Sequence, residues 1–173
     1  MRADPPLPAA GRLAGDWHAM VQPELRLVFS ASLLSVRAAL GRSLAGLEPL
    51  CLSHDDASSV ELVLAEVLTN IVKHAYRGDP GGVIDLRIRH GPDGTGEALL
   101  CEVRDYGRTF PRSCLPGGQK RDPDAEPILC PEGGYGWFLI RSLANDLSYV
   151  RTGGCNCLRF RMMLLRCRDG LPA

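Results

Sequence analysis

The sequence predicts an α/β fold in two layers, a mostly antiparallel sheet with helices covering one face. Three observations point to it. Short segments alternate apolar and polar residues with a period of two, around residues 24–30, 84–89 and 99–104. Two longer segments, 33–47 and 60–75, repeat apolar residues at helical spacing. The order strand, helix, helix, strand, strand, loop, helix, strand, strand favours one sheet with its helices on a single side.

The elements follow in order. Residues 1–20 are rich in Pro, Ala and Gly without periodicity and read as a flexible tail. In the first strand Leu25, Leu27 and Phe29 alternate with Glu24, Arg26 and Val28. Leu33, Val36, Leu40, Leu44 and Leu47 give the first helix. Ser53, with Asp56 three residues later, resembles a capping box, and it opens a helix with the stripe Val60, Val63, Leu64, Val67, Leu68, Ile71 and Ala75. Gly78 and Pro80 end it. Two strands follow, joined by Gly91-Pro-Asp-Gly94; Ile84, Leu86 and Ile88 face inward in one, Leu99, Cys101 and Val103 in the other. Residues 106–133 form a long loop dense in Pro, Gly and charge, of the kind that serves as a lid. A helix over about 135–145 and strands over 147–151 and 157–165 close a domain spanning 21–167, leaving a polar tail at 168–173.

Composition narrows the function. The chain of 173 residues has a formal net charge of zero, which argues against a nucleic-acid binder. No stretch has the length of a membrane span, and the first fifteen residues lack the apolar core of a secretory signal, so the expectation is a cytoplasmic protein. Seven cysteines include no CxxC pair, and several fall on strand positions where a thiol packs as a small hydrophobe.

Three sites could carry chemistry. On the long helix Glu66 and Asn70 share a face, with Lys73 and Arg77 continuing the polar ridge. A carboxylate one turn from an amide oxygen suits phosphoryl transfer, the first as proton acceptor and the second as a hard ligand for Mg²⁺. The alternative is a solvated face on which Glu66 pairs with Lys73 or Arg77. Asp105 extends the inward set of its strand and so needs a donor, which an exocyclic purine amino group would supply, and Gly107 permits a tight turn beside it. The alternative is an ordinary turn aspartate. Gly133-Gly-Tyr-Gly136 precedes a helix and would present backbone N–H groups to phosphate; the alternative is a loop end before an apolar helix. Neither a Rossmann fingerprint nor a GxxxxGK[ST] loop is present.

In this order, the segments Glu66–Tyr76, Asp105–Phe110, Gly133–Arg141 and the closing strand Asn156–Met163 resemble the GHKL, or Bergerat-fold, ATPases, and within them the anti-sigma-factor serine kinases of bacterial partner-switching systems. The likeness covers roughly residues 22–166. It implies a Bergerat ATP-binding fold with a mixed, mostly antiparallel sheet, and ATP and Mg²⁺ as ligands. It implies Glu66 as general base, Asn70 as Mg²⁺ ligand, Asp105 on the adenine amino group and Gly107 in the base pocket. Gly133, Gly134, Tyr135 and Gly136 would meet phosphate, with Lys73 a further phosphate contact. The implied partners are a STAS-domain antagonist, phosphorylated on serine or threonine, and a sigma factor or other regulator; such proteins are often homodimers. Two positions depart from the pattern. Cys157 stands where the family often has a Thr that can reach the adenine site, and Trp137 replaces a usual Leu. Two other readings are a nucleotide-gated binding module without kinase activity and a detached ATPase domain serving histidine phosphotransfer.

Overall fold

A computed structural model describes residues 24–79, 81–92, 96–110, 115 and 134–164. The expected tails at 1–20 and 168–173 and most of the expected lid lie outside those residues. The elements are β1 (Glu24–Ser30), α1 (Leu33–Leu47), α2 (His54–Asn70), a π-helical turn (Ile71–Ala75), β2 (Val83–Pro92), β3 (Glu97–Asp105), α3 (Gly134–Leu143), β4 (Asn145–Thr152) and β5 (Cys155–Leu164). The strands form one sheet in the order β1-β2-β3-β5-β4. Its four pairings are all antiparallel, so among the described residues the sheet is not mixed.

Alternation assigns the faces. Leu27, Ile84, Leu86, Ile88, Leu99, Cys101, Val103, Leu158, Phe160 and Met162 are buried on one side, under Val36 and Ala39 of α1, Val60, Val63, Leu64, Val67 and Leu68 of α2, and Trp137 and Ile140 of α3. Leu64 and Leu68 are fully buried, and each such side chain contributes about 1.5–3 kcal/mol relative to exposure. Both long helices start on serine caps: the Ser32 and Ser53 hydroxyls accept from the N–H groups of Ser35 and Asp56.

The other face is a ladder of charge. Arg26 and Asp85 pair at 2.7 Å, and Glu102 receives Arg104 at 2.7 Å and Arg159 at 2.6 Å. The hydrogen bonds from Arg26 hold the Asp85 carboxyl below its usual range against partial burial. For Glu102 burial pushes the other way, and the bonds from Arg159 and Arg104 prevail, so its pKa is lowered. No helix among the described residues is long and apolar enough to cross a membrane.

Three boundaries differ from expectation. Gly91 and Pro92 belong to β2 rather than to the turn, since antiparallel pairing runs out to Pro92–Glu97. The last two strands run longer than expected, because Gly153 and Gly154, at φ +58° and +80°, form a two-residue hairpin that lets pairing reach Thr152–Cys155. The last helix stops at Leu143, and β4 begins at Asn145.

Candidate functional site

The site is built where α2 changes its winding. After Asn70 the helix widens to π spacing, with Tyr76 N–H donating to Ile71 C=O at 3.1 Å. Such turns are rare and concentrate at functional sites. Ile71 and Val72 stay in the core while Lys73 and His74 are exposed. The chain then leaves through Arg77 and Gly78, at φ +52° and +81°.

The loop after β3 docks directly on this turn. Arg108 N–H donates to Ala75 C=O at 2.9 Å. A Cβ on Gly107 would lie 2.7 Å from Ala75 Cβ and 2.8 Å from its carbonyl carbon and oxygen, so only glycine fits. Tyr76 pins the same corner. Its hydroxyl accepts from Tyr106 N–H at 2.8 Å and donates to Val83 C=O at 2.8 Å, joining the end of β3 to the start of β2.

Asp105, last residue of β3, is 5% exposed. The donor it requires is supplied twice by the chain itself. Its Oδ1 accepts from Gly107 N–H and from Asn156 Nδ2–H, each at 2.8 Å. Burial pushes its pKa up, while Asn156, Gly107 N–H and the nearby Arg151 charge pull it down. Asn156 pairs with Asp105 across β3 and β5 and is itself buried. Its Oδ1 accepts from Tyr149 Oη–H at 2.6 Å and from Arg151.

The expectation for Cys157 is corrected here. It pairs with Arg104 on the charged face of the sheet, and Asn156, one residue earlier, is the one beside Asp105. A one-residue shift in a strand exchanges faces.

Asp105 and Asn156 open onto a cavity of about 420 Å³, lined also by Asn70, Ile71, Lys73, His74, Ala75, Arg77, Arg108, Thr109, Phe110 and Trp137. That volume falls within the roughly 300–1,000 Å³ usual for small-molecule sites. The Phe110 ring stands edge-on to Trp137 at 5.3 Å and to Tyr149 at 4.9 Å, giving one wall an aromatic surface. Lys73, Arg77 and Arg108 make the lining cationic toward an anion.

At the edge of the cavity α3 crosses α2. A Cβ on Gly136 would lie 2.3 Å from Glu66 Oε2 and 3.7 Å from Asn70 Nδ2, so the two α2 side chains lie directly beneath the first turn of α3. No ion pair among the described residues links Glu66 to Lys73 or Arg77, and Glu66 is half-buried where Lys73 and Arg77 are exposed. Asn70 Nδ2 is buried without a hydrogen-bond partner among the described residues. A buried amide donor left unpaired costs about 1–3 kcal/mol, and this one beside a cationic cavity suits a phosphate oxygen, whereas a metal ion would need the other end of the amide, Oδ1.

Of the residues singled out from sequence, Asn70, Lys73 and Asp105 line the cavity, Glu66 and Gly136 meet at its edge, and Gly107 fixes the loop. Gly134 starts α3. The Tyr135 ring is exposed beside Phe138, so Tyr135 could reach the site only through its backbone N–H. Gly133 lies outside the described residues. Sequence reading missed Asn156, Phe110 and Arg108. Asn156 had a signal: it is the polar member of the inward set Asn156, Leu158, Phe160, Met162.

Comparison with known proteins gives the same segments a context. A model of the histidine kinase-like ATPase domain matches residues 29–162. The chain is 30% identical over 107 residues to serine-protein kinase RsbW of Bacillus mycoides, covering 61% of this chain and 64% of that one. It is 31% identical over 104 residues to serine-protein kinase RsbW of Staphylococcus epidermidis, covering 59% and 63%. The match therefore spans somewhat under two thirds of these relatives' length. A crystal structure of RsbU and RsbW domains from Mycobacterium tuberculosis superposes with a TM-score of 0.54 at 17% identity, over 83% of this chain and 33% of that one; at this identity it supports the fold.

Proposed function

The chain belongs to the histidine kinase-like ATPase domain family, and on that premise we propose that it is an ATP-dependent serine/threonine protein kinase and anti-sigma factor. Its substrate would be a STAS-domain antagonist, its other partner a sigma factor or similar regulator, and its location the cytoplasm, where ATP and transcription are found. The likeness to proteins named serine-protein kinase supports this reading. The observation that carries it is the convergence of Asn70, Lys73 and Asp105 on one cavity, with Glu66 at its edge beneath Gly136.

In this proposal Asp105 accepts a hydrogen bond from the adenine amino group, and the Phe110 and Trp137 rings flank the base. Lys73, Arg77 and Arg108 balance phosphate charge, together with the free N–H groups at the start of α3. Asn70 would hold Mg²⁺ through its amide oxygen, and the ion would supply charge neutralisation to the transferred phosphate. Glu66 takes the proton of the acceptor hydroxyl as its oxygen bonds to the γ-phosphorus and the bond to ADP breaks. General-base action of this kind is worth roughly 10²–10⁴ in rate.

The test is transfer of labelled γ-phosphate to a STAS-domain protein, scored as acid-stable phosphoserine or phosphothreonine. Glu66→Gln is expected to bind ATP normally and to transfer at least 100-fold more slowly, on the scale of lost general-base catalysis. Equal transfer by the variant would remove Glu66 from its role. Acid-labile product would point instead to histidine phosphotransfer, and a stoichiometric complex that yields no ADP would point to a binding module.

A further inference from the structure

The buried network behind Asp105 is larger than holding one carboxylate in place requires. Asn156 uses its whole amide. Oδ1 accepts from Tyr149 and Arg151, while Nδ2 donates to Asp105 Oδ1 at 2.8 Å and approaches the carbonyls of Arg108 and Gly107 at 3.2 and 3.4 Å. Arginine can only donate and a backbone carbonyl can only accept, so the amide has one possible orientation, with N–H toward Asp105. Arg151 also donates to Gly107 C=O at 2.9 Å, tying the loop to the same hub.

The consequence falls on the carboxylate. Both neighbours of Asp105 Oδ1, Asn156 Nδ2–H and Gly107 N–H, are obligate donors, so that oxygen cannot carry a proton. Oδ2 has no hydrogen bond among the described residues. Ionised, Oδ2 is purely an acceptor and suits a purine 6-amino group. Protonated, it becomes a donor and suits a 6-oxo group. Burial favours the protonated form; Asn156, Gly107 N–H and Arg151 oppose it.

We infer that Asn156, locked by Tyr149 and Arg151, is a positioning residue that keeps Asp105 an acceptor and thereby makes the cavity select a 6-aminopurine over a 6-oxopurine nucleotide. The inference rests on the nucleotide reading above. The other charged or titratable groups around the cavity are Lys73, His74 and Arg77 on the π turn and its exit, Arg108 on the loop, and Glu66 of α2 at the edge; α3 presents Trp137, which carries no charge.

The experiment compares ADP with IDP, which share sugar and phosphates and differ only at the base, so their affinity ratio cancels every phosphate contribution. Calorimetry on the full chain from about pH 6 to about pH 8 is expected to give a strong ADP preference that changes little with pH. In Asn156→Leu, Asp105 loses a donor and holds its proton to higher pH. The preference then shrinks toward about pH 6 and recovers toward about pH 8, since protonation of Asp105 removes the acceptor that the 6-amino group needs. Arg151→Met, at an exposed position on β4, moves the ratio in the same direction and decides the matter should Asn156→Leu not fold. If a folded Asn156→Leu, or Arg151→Met where Asn156→Leu does not fold, keeps the wild-type ratio at every pH, the inference is overturned and the nucleotide reading stands. Wild-type protein that binds neither nucleotide overturns both.

Discussion

The contact between Gly136 and Glu66 yields the sharpest test of the site. A methyl group at Gly136 would sit 2.3 Å from Glu66 Oε2 and 3.2 Å from its Cδ, where ordinary contact begins at 3.4 Å. In Gly136→Ala the carboxylate must therefore withdraw by about an ångström, the minimum that restores van der Waals contact. It can do so, because it is the far end of a flexible side chain. Alanine also suits a helix better than glycine by roughly 0.5–1 kcal/mol, so the melting temperature should change by no more than a few degrees. Activity should not be spared. A displacement of about 1 Å in a catalytic group costs on the order of 100-fold in rate. The expected outcome is a folded protein with near-normal ADP affinity and phosphate transfer slowed about 100-fold.

Gly107→Ala provides the contrast. Its methyl would meet Ala75 Cβ at 2.7 Å and the Ala75 carbonyl carbon and oxygen at 2.8 Å. Two of these are backbone atoms, held by the Arg108 N–H bond at 2.9 Å, and cannot swing away. Overpacking of that kind costs about 1–3 kcal/mol, and each kcal/mol lowers the melting temperature of a chain this size by roughly 2–4 °C. Scanning calorimetry and the transfer assay, run on both variants, separate the two effects. Gly136→Ala that transfers at the wild-type rate would refute the argument that Glu66 acts from beneath α3.

Asp105→Asn keeps an oxygen for the Asn156 and Gly107 donors, so it should fold, while ATP affinity measured by calorimetry falls at least tenfold, the cost of an unmatched buried group at a base-reading position. The same variant should be at least as stable as wild type at neutral pH. The Asp105 pKa is raised in the fold, chiefly by burial, so the native state binds more protons than the unfolded chain between the two pKa values and the wild type gains stability as pH falls through them. Thermal melts should show the variant's advantage shrinking in acid, and a gap that widens would reverse the sign of the burial argument. Tyr76→Phe deletes the hydroxyl that ties Tyr106 N–H to Val83 C=O, and should cost about 1–3 kcal/mol in denaturant unfolding without touching the cavity lining.

The sheet and its helices were legible in the sequence because burial there is periodic. Leu99, Cys101 and Val103 alternate, Val60, Val63, Leu64, Val67 and Leu68 repeat at helical spacing, and Ser53 marks a helix start. Asp105 was legible for the same reason, as the next inward position of a strand. What periodicity could not give was register between strands distant in sequence. Asn156 acquires its role from lying opposite Asp105, fifty-one residues away in the chain, and attention to Cys157 missed by one residue and hence by a whole face of the sheet. Strand ends were also lost where glycines at positive φ extended pairing past the apolar run.

The π turn accounts for a subtler difference. In an unbroken α-helix Glu66, Asn70, Lys73 and Arg77 would form a single ridge. Widening the winding after Asn70 advances the chain by an extra residue within one turn, so the residues beyond it no longer share the phase of those before it. Asn70, the last α-helical residue, both touches the Gly136 position and lines the cavity, whereas Glu66, one turn earlier, meets Gly136 and is not part of the lining. Lys73 and Arg77, beyond the break, line the cavity from exposed positions. The break thus separates an acid suited to take a proton from cations suited to hold phosphate. In an unbroken ridge Lys73 would follow Glu66 two turns on, along one face, and the break sets that acid and those cations apart, as the proposed phosphoryl-transfer site would need of one continuous segment of chain.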